Sequence, residues 1–260
     1  MFTRRNTGRG RPPRSLALES SSAFRAADAT DDKEKKDCLL REAQGLAGHS
    51  ALADAYAYLQ KAVGLIAVTL PFVVAIGHEL SGGHGLKGSI SSYYYTHMGN
   101  YFVGSLFALG VFFLSYNYRP LPRYQLDNYL SNVAGVMAVG VALLPTASDA
   151  AGASGGAQVV AVLHLVFACT LFVLLAVFSL FFFTKTDDRQ RMTPEKRRRN
   201  LLYRTCGVII VTALALVVVT EGFKPPSSWH TLFWLESVAV IAFGVSWLVK
   251  GEFLGVLADP

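Results

Sequence analysis

The sequence predicts an all-α fold: a polytopic membrane protein, a bundle of six transmembrane helices with both termini cytoplasmic. Three observations carry that expectation. Apolar residues fill 52% of the chain and charged ones only 16%. A soluble domain carries closer to about a quarter charged, and one aqueous core cannot hide this much apolar surface. Six apolar stretches, about 57–80, 97–116, 128–144, 158–184, 201–220 and 229–250, approach or exceed the length a helix needs to cross a bilayer core of roughly 30 Å. Lysine and arginine gather in alternate connections, as the positive-inside rule requires of a multi-pass chain.

The chain begins with different material. Residues 1–48 run from Arg, Ser, Gly and Pro into a mixed-charge stretch with few large apolar side chains. Such a segment buries too little surface to offset its ordering entropy, so a disordered basic tail is expected there, ahead of a transmembrane domain over 49–260. Its arginine-rich, acid-poor start also fits an organelle transit peptide. The protein is therefore placed in the cytoplasmic (inner or plasma) membrane, with an organelle membrane as the alternative.

The first span contains Pro71, which predicts a kink. It ends at His78-Glu79, followed by the glycine-rich SGGHGLKG and the polar SISSYYYTHMGN. In the third span Ala134, Ala138 and Ala142 repeat every four residues beside Gly135, a small-residue stripe that lets a neighbouring helix approach closely. The fourth-to-fifth loop carries seven Lys or Arg between Lys185 and Arg199. The sixth span is framed by Trp229 and Trp234 at one end and Trp247 and Lys250 at the other, the expected interfacial anchors. Because the basic residues flank apolar spans, the net charge of +6 points to topology and lipid contact, not to nucleic acid. Membrane lipids are the expected partners. Cys38, Cys169 and Cys206 have no metal-binding spacing, no cofactor is implied, and nothing in the sequence specifies an oligomeric state.

Two residues do not belong in oil. Glu236 lies roughly 10 Å into the last span and His164 roughly 9 Å into the fourth, both entered from the outer face. A buried carboxyl costs a few kcal/mol unless it is protonated, paired or wetted. The two share a layer beneath the hairpin that carries Ser89, Tyr93, Tyr95 and His97. That layer reads as an outer-leaflet polar pocket for a lipid or small ligand, or as a hydrogen-bonded pair fixing spans four and six together. At the inner side Asp127, Asn132 and Arg204 form a second cluster, structural in character, in which Asp127 pairs with Arg204 or Arg204 reaches lipid phosphate.

The leading expectation is a non-enzymatic membrane protein with that ligand pocket. One rival is a metal-dependent lipid hydrolase built on His78, His84, His97, His164 and His230. No H-x-x-x-H or H-E-x-x-H pair sets two of these ligands on one helical face, which argues against it. Ser89, Ser91 and Ser92 sit in no nucleophile elbow. The other rival is a proton-coupled transporter using His164 and Glu236 as a relay.

SISSYYYTHMGNYFVGSLFALGVFFLSYNY, DNYLSNVAGVMAVGVALLPT, RRRNLLYRTCGVII and FWLESVAVIAFGVSWLVKG resemble a group of small bacterial integral membrane proteins of unknown function. The likeness covers roughly 60–251 and includes the polar positions Ser89, Tyr93, Asn132, His164, Arg204 and Glu236. It implies a six-span fold and brings no activity. In overall build the group is also similar to six-span eukaryotic proteins linked to autophagy modulation and GPI-anchor remodelling.

Overall fold

The computed structural model describes residues 55, 57–116, 125–146, 155–185, 193–223 and 225–251. The expected tail over 1–48 lies outside them, as do the linker 117–124, the loop 147–154 and residues 186–192 of the basic loop. The described helices belong to the unit Tyr56–Pro260, and no strand occurs among the described residues.

Six helices follow one another: α1 (Ala57–Leu80), α2 (Gly99–Ser115), α3 (Gln125–Leu143), α4 (Gly155–Val177), α5 (Pro194–Phe223) and α6 (Thr231–Lys250). Five of them are long and apolar enough to cross a membrane; α2, with 17 residues, is the shorter apolar helix. Each presents large apolar side chains outward, among them Phe72, Val111, Val136, Val166, Val208 and Val238, as helices solvated by lipid do. These apolar helices are compatible with a multi-pass membrane protein. α1 runs unbroken through Pro71.

Local chemistry sets the ends. Thr193 caps α5, its hydroxyl accepting from Lys196 N–H at 3.2 Å, and Pro194 takes the first helical position, where a missing N–H costs nothing. α1 stops because Gly82 turns at φ 85°, a conformation that needs no Cβ, while Gly83 N–H donates to His78 O at 2.9 Å. α4 ends in a π-helical turn, Phe178–Phe182.

The helices join through small residues. Buried Ala134, Ala138 and Ala142 line the inner side of α3, and Gly135 meets Gly110 of α2 so closely that a Cβ on Gly135 would lie 2.9 Å from the Gly110 carbonyl oxygen. The alanine stripe is buried, as its period predicts, and the close helix contact beside it is made by Gly135. A second crossing joins α1 to α6 at Gly64 and Gly244. α3 packs on α4, α4 on α5 and α5 on α6.

At one end of the bundle, aromatic rings form a tight layer. Phe113 stacks on Phe178 at 5.6 Å between centroids, and Trp247 stands edge-on to Phe113, Phe183 and Tyr116. Trp247 is only 2% exposed, so it is a core residue and not the interfacial anchor expected from its position near Lys250. The ring faces inward, where its contacts with Phe113, Tyr116, Phe183 and Phe243 outweigh any gain at the headgroups. Trp229 and Trp234, at the other end, are exposed as expected.

Candidate functional site

The site lies at the end of the bundle where α1 passes into α2. Between them runs a hairpin, fixed largely by its own side chains. Glu79 accepts from Gly85 N–H at 2.7 Å, closing the glycine turn. The Ser89 hydroxyl lies 2.8 Å from the Ser92 hydroxyl and takes Ser92 N–H at 3.0 Å, so it opens the 3-10 turn Ser91–Tyr95. Tyr93 is fully buried; its hydroxyl accepts from Lys87 N–H, and its ring packs against His78 and Phe233. Burial pushes the Tyr93 phenol above its ordinary value, opposed by the Lys87 N–H bond, so it stays neutral at physiological pH. Exposed Tyr95 reaches back to the end of α3, donating to Thr146 O at 2.7 Å. His97 is exposed and does not line the cavity beneath the hairpin.

Two bonds dock this hairpin on α6. Phe233 N–H, in the first turn of α6 and without an intrahelical acceptor, donates to Gly88 O at 2.9 Å. One turn deeper, Glu236 Oε2 accepts from Ile90 N–H at 2.7 Å. The hairpin backbone and the end of the helix thus satisfy each other's polar groups, the condition for burying irregular backbone at membrane depth.

Beneath Ile90 and Ser91 lies a cavity of about 50 Å³. Its walls come from α1 (Ala67, Leu70), α2 (Phe102, Leu106), α3 (Ala138, Val141), α4 (Ala168, Leu171) and α6 (Val240), with Phe113 and Phe243 below. Glu236 supplies its ionisable group and Ser91 its hydroxyl; the remaining lining is apolar. Ile90 and Ser91 belong to the hairpin expected to line the pocket, whereas the apolar lining went unrecognised in the sequence, because no residue-type signal distinguishes it from ordinary core.

His164 is elsewhere. Buried in α4, its Nδ1 lies 2.6 Å from Leu144 O, so it ties the end of α3 to α4 and does not line the cavity. The expected shared layer therefore does not become a shared pair: Glu236 and His164 each take a backbone partner. Of the pocket residues expected from sequence, Ser89 and Tyr93 shape the hairpin that roofs the cavity, Tyr95 fastens it to α3, and Glu236 lines it.

The other histidines do not converge either. His78 is buried edge-on to Tyr93, His84 is exposed, and among the described residues no three His, Cys, Asp or Glu are placed to hold a metal ion. His230 enters α6 in the left-handed conformation, at φ 47° and ψ 40°, with Nδ1 buried and unpartnered. His230→Gly should relieve that strain, which costs about 1–2 kcal/mol, against a smaller loss from the more flexible unfolded chain. A net rise in Tm of roughly 1–3 °C is expected in detergent; a fall would show that the imidazole contributes more than its backbone strain removes.

At the opposite end, Asp127 pairs with Lys185 and not with Arg204. Asp127 is buried, whereas Asn132 and Arg204 are exposed. The inner cluster thus reduces to an Asp127–Lys185 bridge, supported by Lys185 over the Phe182 ring and by Lys196 Nζ donating to Phe183 O at 3.2 Å. The π-helical turn explains the change of partner: its extra residue per turn rotates the end of α4, burying Phe183 and bringing Lys185 to Asp127.

Fold and site together define a helical membrane-type bundle with a carboxyl-headed apolar cavity beneath a docked hairpin. Comparison with protein-family models, curated proteins and solved structures found no match for the chain.

Proposed function

We propose that this is a six-span protein of the cytoplasmic membrane, both termini inside, that binds a lipid or small ligand in the cavity under the hairpin and performs no catalysis. The carrying observation is the cavity itself: walls from five helices, and one carboxyl at its head. Close packing leaves few voids in a helical core, and a carboxyl beside one is a poor way to gain stability. Orientation is supported by charge. Among the described residues the hairpin end holds Lys87, while Lys61, Lys185, Lys196, Arg197, Arg198 and Lys250 belong to the opposite end.

Two features support binding over the rival readings. The aromatic layer of Phe113, Phe178, Phe243 and Trp247 lies across the cavity's far side, where a transport path would have to continue. Among the described residues no three His, Cys, Asp or Glu are placed to hold a metal ion, which favours binding over the hydrolase reading.

The test is mass spectrometry of the protein purified in mild detergent, alongside Ala168→Leu, which adds three carbons into the cavity from half-buried Ala168. A small apolar or amphiphilic molecule should co-purify with the natural chain and be lost from Ala168→Leu, whose Tm stays within about 5 °C. An empty natural protein, or a ligand retained in the filled variant, overturns the proposal.

A further inference from the structure

We infer that the cavity selects a ligand with a hydrogen-bond-donating head, an ammonium or hydroxyl group, on a slender apolar chain, and rejects fatty-acid carboxylates. This rests on the binding function proposed above and assigns the chemistry of that site.

The lining fixes the preference. Among the described residues Glu236 is its one ionisable group, and no Lys, Arg or His lines the space with it. With Glu236 ionised, a carboxylate ligand would bring a second negative charge beside it with no cation from the described lining to neutralise either, and in a low-dielectric site like charges at contact repel strongly. An ammonium head instead forms a charge-assisted bond to the carboxylate, and a hydroxyl donates to it in either charge state. Glu236 keeps capacity for this, because Ile90 N–H occupies one lone pair of Oε2 and a carboxylate offers about four acceptor positions. Ser91 adds a hydroxyl at the same level.

Size and polarity restrict the tail. The walls are Leu70, Leu106, Val141, Leu171 and their apolar neighbours, which offer nothing to a sugar or a peptide. A volume of about 50 Å³ admits the slim end of an alkyl chain without rearrangement and excludes a branched or ring-bearing tail. An alkyl chain returns to the walls the dispersion contacts that the void forfeits.

The experiment uses the full chain in neutral detergent at pH 7.5 and three probes of equal length: octylamine, octanol and octanoate. Stability is followed by thermal unfolding, with affinity taken from the concentration dependence. Octylamine and octanol should raise Tm, with at least tenfold lower affinity for octanoate. Glu236→Gln keeps an acceptor for Ile90 N–H but removes the charge; it should weaken octylamine at least tenfold and leave octanol within threefold. Octanoate binding as tightly as octylamine, unchanged octylamine affinity in Glu236→Gln, or no shift with any probe overturns the inference. Ala168→Leu separates the two levels. If it abolishes equal binding of all three probes, the cavity reading survives and the head selection falls; if it abolishes nothing, both fall.

Discussion

Gly64→Leu should lower Tm by roughly 6–12 °C, corresponding to about 3 kcal/mol in a domain of this size. At the α1–α6 crossing a Cβ on Gly64 would sit 2.8 Å from Gly244 O and 2.8 Å from Leu248 N, and a Cβ on Gly244 would sit 2.8 Å from Gly64 O. These obstacles are backbone atoms, which cannot swing aside as a side chain does. The helices must separate, and every dispersion contact along the crossing weakens with them. Gly251, a Cβ on which would come within 3.0 Å of Lys61 N, lies on the same seam. Ala67 and Leu70, one to two turns beyond Gly64, form the α1 wall of the cavity. Ligand retention should therefore fall together with stability. Gly104→Ala is the control: nothing lies within 4 Å of its Cβ position, and alanine is the better helix former. A Gly64→Leu protein as stable as Gly104→Ala would show that the two helices do not meet at this point.

What the sequence disclosed, and what it withheld, follows from the range of each interaction. The span 57–80 coincides with α1, because hydropathy reports residues that lipid must solvate. α5 begins at Pro194, seven residues before the expected start at 201, since Lys and Arg favour helix and only leave the apolar layer. The alanine stripe of α3 was legible because its period is written within one helix. The Gly64–Gly244 crossing was not, being one glycine on each of two distant helices. Likewise the depth of Glu236 follows from counting residues, while its partner does not. Ile90 N–H is a backbone group that any residue type provides, so no motif announces it. His164 shows the same limit, finding the Leu144 carbonyl in place of a side chain. Asp127 met Lys185 through a π-helical turn whose FSLFF sequence looks like any other apolar run.

Glu236 carries both the structural and the binding role, and two substitutions separate them. Glu236→Ala leaves Ile90 N–H without its acceptor at a buried position, a loss of about 1–3 kcal/mol. The loss should appear locally, since of the two bonds docking the hairpin on α6 only that from Phe233 N–H to Gly88 O would remain. Hydrogen exchange of the segment 86–93 should accelerate by roughly 5- to 100-fold, the same energy expressed as an opening equilibrium. Glu236→Gln presents an amide oxygen in the place of the carboxylate oxygen, so exchange there should stay within about threefold of the natural protein. Slow exchange in both variants would mean the Glu236–Ile90 bond does not hold the hairpin, and fast exchange in both would mean that the charge, beyond the acceptor, is what holds it. With alanine fast and glutamine slow, the hairpin is docked by hydrogen-bond geometry, and the carboxyl group that the helix keeps in an apolar cavity is left to be explained by what enters it.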